Sequence, residues 1–224
     1  MNISDLERDA LYKVIYARRD VRRDFISTPI PDDVLERILN AGHHAPSVGF
    51  MQPWDFVLVT DDQTKQAIKQ GYDTASVESA NQFSDDKKEQ YQSFKLEGIL
   101  EAPLGICVTC DRERNGPVVI GRTIKKEMDL YSTVCAVQNM WLAARAENIG
   151  FGWVSIIHDD VLRTALEIPE HIDIIGYLCL GYVSEFQEKP ELETFGWLPR
   201  APLNQVVHHG KWTKNTKPNP PDTE

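Results

Sequence analysis

Arg18-Arg19-Asp20-Val21-Arg22-Arg23 sets four guanidiniums around one carboxylate. Guanidinium forks match phosphate oxygens bidentately, and arginines this close repel one another unless an anion or acidic neighbours compensate. The chemistry on offer is anion binding. The same residues also fit a solvated helix end, where arginine complements the macrodipole and Asp20 bridges Arg19 or Arg23. A second cluster, Ala45-Pro46-Ser47-Val48-Gly49-Phe50-Met51-Gln52-Pro53-Trp54, offers hydroxyl, amide and backbone donors around a glycine that permits close approach. It also reads as a turn held by two prolines.

Cys107 and Cys110 form a C-x-x-C, a pattern of redox and zinc chemistry. They fall inside the apolar run 104–110, however, where side chains three apart on a strand point to opposite faces. Structural burial is expected for them, and for Cys135 and Cys179, which also sit among apolar neighbours. No second C-x-x-C or Cys/His set has zinc spacing, so no metal is expected. The histidines, His43, His44, His158, His171, His208 and His209, are expected in surface or capping roles.

These clusters need elements to hold them. Ser4-Asp5-Leu6-Glu7 has the form of a capping box, opening a helix with Leu11, Val14 and Ile15 on its inward face. That helix delivers the arginines. A second helix follows Pro31, with Val34, Leu35, Ile38 and Leu39 inward and an end near Gly42. A strand, 56–59, comes after the Ser47 loop. The polar stretch 74–98 reads as a lid, with a surface helix pair as the alternative. Met128 to Ile149 reads as a long core helix with Leu130, Val134, Val137 and Trp141 inward, ended by Gly150. Then come a strand over 151–157, a short helix opened by Asp159 or Asp160, and a strand over 172–182. Residues 211–224 are rich in Lys, Asn and Pro and read as a mobile tail.

The chain has 224 residues and a formal net charge of −10. An acidic balance argues against nucleic acid or anionic membrane as a general partner. No apolar run is long enough to span a bilayer and no signal peptide is visible, so a cytoplasmic protein is expected. Helices and strands alternate without the cadence of a doubly wound sheet, and neither G-x-G-x-x-G nor a P-loop occurs.

Taken in order, Arg18-Arg19-Asp20-Val21-Arg22, Pro46-Ser47 with Gln52-Pro53-Trp54, Lys95-Leu96-Glu97-Gly98-Ile99, Gly152-Trp153-Val154-Ser155 and Leu180-Gly181-Tyr182 resemble the nitroreductase-like flavoprotein superfamily. More closely they resemble its oxygen-dependent branch, the 5,6-dimethylbenzimidazole synthases. The resemblance runs from about Leu11 to Trp212. It implies an α+β fold with a central mixed or antiparallel sheet flanked by helices, as a single FMN-binding domain over 1–212 followed by a tail over 213–224.

The resemblance also implies an activity: oxygen-dependent fragmentation of reduced FMN to 5,6-dimethylbenzimidazole and D-erythrose 4-phosphate, with a separate flavin reductase supplying FMNH2. Homodimers with flavin at the interface are implied too. Arg18, Arg19, Asp20, Val21, Arg22, Ser47, Met51, Gln52, Leu104, Ser155 and Arg200 are then the flavin-binding positions. Asp20 and Ser155 are the catalytic ones, Asp20 as a base for a proton leaving carbon. Leu104 fits the core equally well. Two other functions stay open: an NAD(P)H-dependent nitroreductase or quinone reductase that cycles its FMN, and a flavin-holding module without chemistry of its own.

Overall fold

Residues 2–213 are described by a computed structural model; the tail residues 214–224 lie outside the described residues. Clustering of the chain gives two compact units, one through Phe186 and one from Gln187 onward. The first runs α1 (Asp5–Ala17), α2 (Asp32–His43), β1 (Trp54–Val59), α3 (Asp62–Ala80), α4 (Asp85–Gln92), β2 (Leu104–Asp111), α5 (Met128–Ala146), β3 (Ile149–Val154), α6 (Asp159–Leu166) and β4 (Ile172–Tyr182). Its strands form one sheet in the order β1-β2-β4-β3, each neighbouring pair antiparallel.

Period-two alternation explains why β2 is buried without interruption over 104–110 and β4 over 176–181. Leu104, Ile106 and Val108 pack with Ile38 of α2 and Val137 and Met140 of α5, while Cys107 and Tyr177 pack on the other face with Ile68 of α3 and Leu162 of α6. Both faces are covered, so both sets of side chains are buried. Cys110 meets Thr133 of α5, on the face opposite Cys107. Burial pushes the Cys107 thiol up to about 12 and that of Cys110 up to about 11. Cys135 departs from expectation, standing exposed on α5.

α1 opens with the full capping box, Ser4 and Glu7 each binding the other's backbone N–H. Its expected inward face is not inward: no α1 residue is buried, and Leu11 is 54% exposed. The neighbours are the reason. Leu11 and Val14 line an open groove of about 410 Å³ with Ala41, Asn139, Leu142, Ala143 and Ala146 of α2 and α5, which leaves them partly exposed.

On α5, Val137 and Trp141 are buried as expected, but the face extends differently. Val134 is 42% exposed, and the buried face runs through Asp129, Ser132, Thr133, Ala136, Val137, Met140, Trp141 and Ala144. Polar groups can occupy that face because local bonds satisfy them: Thr133 Oγ1 donates to the Asp129 carbonyl at 3.1 Å and Ser132 Oγ to that of Met128 at 2.6 Å. The helix ends at Ala146, with Asn148 in the left-handed region at φ 57°, and Gly150 lies inside β3 instead. β3 stops at Val154, three residues short of the expected end.

Residues 74–98 form the last turns of α3, then α4 and an extended approach to β2. The start of α3 was not anticipated, although Asp61 caps it by accepting the Thr64 N–H at 2.8 Å. Among the described residues, no helix is long and apolar enough to cross a membrane. The second unit holds a short helix, α7 (Glu191–Thr194), and a 3-10 turn at Leu203–Gln205. There the His208 ring lies against Trp212, centroids 4.4 Å apart.

Candidate functional site

α1 cannot continue past Ala17 because Arg18 is extended, at φ −63° and ψ 135°. The chain then runs beside β3 as a short parallel bridge, Asp20 opposite Phe151, with the Val21 N–H donating to the Phe151 carbonyl at 3.0 Å. Gly152 allows this. A Cβ there would lie 2.0 Å from the Val21 carbonyl oxygen. The glycine's role is thus to admit the backbone of the arginine segment itself.

Asp20 is fixed by both oxygens. Its Oδ1 accepts the Trp153 N–H at 3.0 Å, and its Oδ2 accepts Arg22 Nε at 3.1 Å and Nη2 at 2.7 Å. The Arg22 partner was not foreseen; Arg19 and Arg23 had been the expected bridges. Arg19 Nη1 instead donates to the carbonyls of Tyr16 and Arg18 at 2.8 and 2.7 Å. Arg18 lies over the Trp141 ring, 4.7 Å from its centroid, within cation–π range.

α5 holds the segment from below. Trp141 Nε1 donates to the Arg19 carbonyl at 3.1 Å and Arg145 Nε to that of Ala17 at 3.2 Å. Burial lowers the Arg145 pKa, and the like charge of Arg19 lowers it further. Arg19 and Arg145 thus lie close enough for their charges to act on each other. Trp141 also stacks on Phe151 at 4.9 Å, joining the helix, the arginine segment and β3 in one contact. Neither Trp141 nor Arg145 was singled out for this role from sequence. A Trp and an Arg four apart on a helix were the available signal.

The second cluster sits at the other end of α5. Ser47 Oγ accepts the Gln52 N–H at 3.0 Å, and Ser132 Oγ accepts the Val48 N–H at 3.0 Å. Ser132 and Trp141 are nine residues apart, about 13 Å along the helix axis. Ser47 and Gln52 are therefore separated from the arginine corner within one chain. Met51 is buried, with 1% exposure, and Gly49 opens space for Val119 and Ile120.

The remaining expected positions scatter. Leu104 is buried in the core cluster with Ile106 and Leu180. Ser155 is exposed immediately after β3, two residues beyond the Trp153 N–H that binds Asp20. Arg200 is exposed in the second unit.

Comparison with known proteins adds three findings. The nitroreductase family model matches residues 15–182. The 5,6-dimethylbenzimidazole synthase of Rhodospirillum rubrum is 36% identical over 195 residues, covering 87% of this chain and 92% of the relative, and that of Rhodobacter capsulatus is 32% identical over 202 residues, covering 90% and 97%. Among solved structures, oxidised iodotyrosine deiodinase bound to FMN and 3-iodo-L-tyrosine superposes with a TM-score of 0.70 at 21% identity, over 91% of this chain and all of the other. The last is a likeness of fold.

Proposed function

Because the chain belongs to the nitroreductase family and is similar over most of its length to 5,6-dimethylbenzimidazole synthases, we propose that it is an enzyme converting reduced FMN and O2 to 5,6-dimethylbenzimidazole and D-erythrose 4-phosphate. The observation that carries this reading is the pinning of Asp20 between Arg22 and β3, on a segment that also presents Arg18 and Arg19. That donor set fits a flavin phosphate or the electron-rich pyrimidine edge of a reduced isoalloxazine.

Arg18, Arg19 and Arg22 bind the anion, and the Val21 backbone lies between them. Ser47 and Gln52 supply hydrogen bonds to the flavin from the second cluster, in the turn that the buried Met51 anchors, and Leu104 lines the core behind it; Arg200 is a further cationic position for the phosphate. When bound, reduced FMN supplies both the reductant for oxygen and the carbon skeleton of the product, ribityl C1′ becoming benzimidazole C2.

A C–H proton must leave during that conversion, and Asp20 is its acceptor. A carboxylate offers about four lone-pair sites, and the Trp153 and Arg22 bonds occupy three. One site is left for the proton. The two fixed oxygens prevent the carboxylate from swinging away between turnovers. Ser155, with an exposed hydroxyl at the strand end, acts as a hydrogen-bonding group that steers which bond breaks.

The 13 Å separation of the two clusters supports a homodimer in which each flavin site draws on both chains. The exposed Leu11, Tyr131 and Val134 supply apolar surface for it. A separate reductase supplies the FMNH2, and four free cysteines accord with a reducing cytoplasm.

The test incubates the protein with excess reduced FMN in air and follows products by mass spectrometry. Dimethylbenzimidazole forming in proportion to flavin lost supports the reading. Steady NADH oxidation with flavin conserved would replace it with the nitroreductase activity, and intact reoxidised FMN with passive flavin holding.

A further inference from the structure

The irregular stretch between β2 and α5 is closed at its base by one carboxylate. Asp129, fully buried in the first turn of α5, accepts Arg112 Nε at 3.1 Å and Arg122 Nη1 at 2.8 Å. Arg122 also donates to the Arg112 carbonyl. Burial alone would raise the Asp129 pKa, but Arg122, the Leu130 N–H and Arg112 outweigh it and hold it below the usual carboxylate range.

From that base the stretch reaches the 48–52 turn residue by residue. Gly121 lies against Val48, and a Cβ on Gly49 would stand 2.5 Å from Val119 Cγ1 and 2.9 Å from the Ile120 carbonyl oxygen. Asn115 Nδ2 donates to the Met51 carbonyl at 3.0 Å. Arg114 Nη1 donates to the carbonyls of Gln52 at 2.7 Å and Trp54 at 3.0 Å. The turn needs such support, because Phe50 and Gln52 hold φ of 54° and 49°, left-handed backbone that these residues keep only when their surroundings impose it.

We infer that Asn115 and Arg114 are positioning residues for the flavin site, fixing the Met51 and Gln52 carbonyls so that the Ser47 and Gln52 side chains stand where the flavin meets them. The inference rests on the flavin reading and adds to it two residues that act through the turn.

The test uses Asn115→Gly and Arg114→Lys in the full chain. Glycine keeps the left-handed backbone of Asn115, at φ 65°, and lysine keeps the charge beside Asp55. FMN affinity is read from quenching of flavin fluorescence, KM and kcat from product formation, and backbone mobility from hydrogen exchange at residues 48–52. Each variant is expected to weaken FMN binding and raise KM about fivefold to tenfold, what losing one hydrogen bond does, with kcat within about twofold and faster exchange at 48–52. Arg37→Lys, which loosens a surface pairing with Asp33 and Glu147, serves as the control and leaves affinity unchanged.

If the native protein binds FMN and both variants bind it equally well, the inference is overturned while the flavin reading stands. Affinity falling only in step with a loss of global stability, with exchange at 48–52 unchanged relative to the rest of the chain, overturns it too. A native protein that binds no FMN overturns the flavin reading, and this inference with it.

Discussion

Gly152→Ala should dismantle the candidate site from inside the sheet. An added Cβ would stand 2.0 Å from the Val21 carbonyl oxygen and 3.1 Å from its carbon. A relaxed carbon–oxygen contact is about 3.2–3.5 Å, so the backbone of residues 19–21 must retreat from β3 by about 1 Å. That retreat strains two bonds at once, the Val21 N–H to the Phe151 carbonyl and the Trp153 N–H to Asp20, both 3.0 Å. Overpacking costs about 1–3 kcal/mol and each weakened bond up to about 1 kcal/mol more, so a loss of about 2–4 kcal/mol in stability is expected. A 1 Å displacement of a positioned group costs on the order of a hundredfold in rate. Urea unfolding and dimethylbenzimidazole formation measure the two effects separately. Gly150→Ala is the comparison, since its Cβ would meet chiefly the Val183 side chain, with backbone no closer than 3.2 Å. It should cost less and leave turnover closer to native. A Gly152→Ala protein with native stability and turnover would refute the parallel bridge as the device that places Asp20.

Asp20→Asn should abolish dimethylbenzimidazole formation while retaining FMN binding within about tenfold; native turnover, measured as product per flavin consumed, counts against a proton acceptor at that position. Trp141→Phe keeps the stacking on Phe151 but removes the hydrogen bond to the Arg19 carbonyl, and should raise KM for reduced FMN about fivefold with little change in kcat. The folded pKa of Asp129 is depressed, so its contribution is present at pH values above the unfolded pKa and is lost as pH falls through the folded one. Asp129→Asn should therefore flatten the acid limb of stability in urea titrations carried below the usual carboxylate range.

What the sequence made legible divides by the range of the interaction. The capping box of α1, β4 from Ile172 to Tyr182, and the opposite-facing Cys107 and Cys110 follow from local rules of spacing, and the structure contains them. The inward face of α1 failed because amphipathicity marks an apolar side without saying what covers it, and here α2 and α5 leave an open groove beside it. The face of α5 was legible only in part, Val137 and Trp141 being buried and Val134 exposed, and for the converse reason. Periodicity counts apolar residues, whereas Asp129, Ser132 and Thr133 are buried by virtue of specific partners, Arg122 being the nearest to Asp129.

The same distinction separates what was found of the site from what was missed. Arg18, Asp20 and Arg22 announce themselves by charge within five residues, and Asp20 does pair inside the cluster. The groups that hold them do not announce themselves: Trp141 and Arg145 act on backbone carbonyls more than a hundred residues away in sequence, and carbonyls carry no residue type to recognise. Gly152 shows the limit most plainly. A glycine in a strand usually marks a bulge or a close approach, but only the fold reveals that the approaching group is the backbone of Val21. A carboxylate is common; one fixed on both oxygens, on a segment that a glycine admits and a tryptophan anchors, is not. The placement of Asp20 therefore weighs more in the functional reading than its presence.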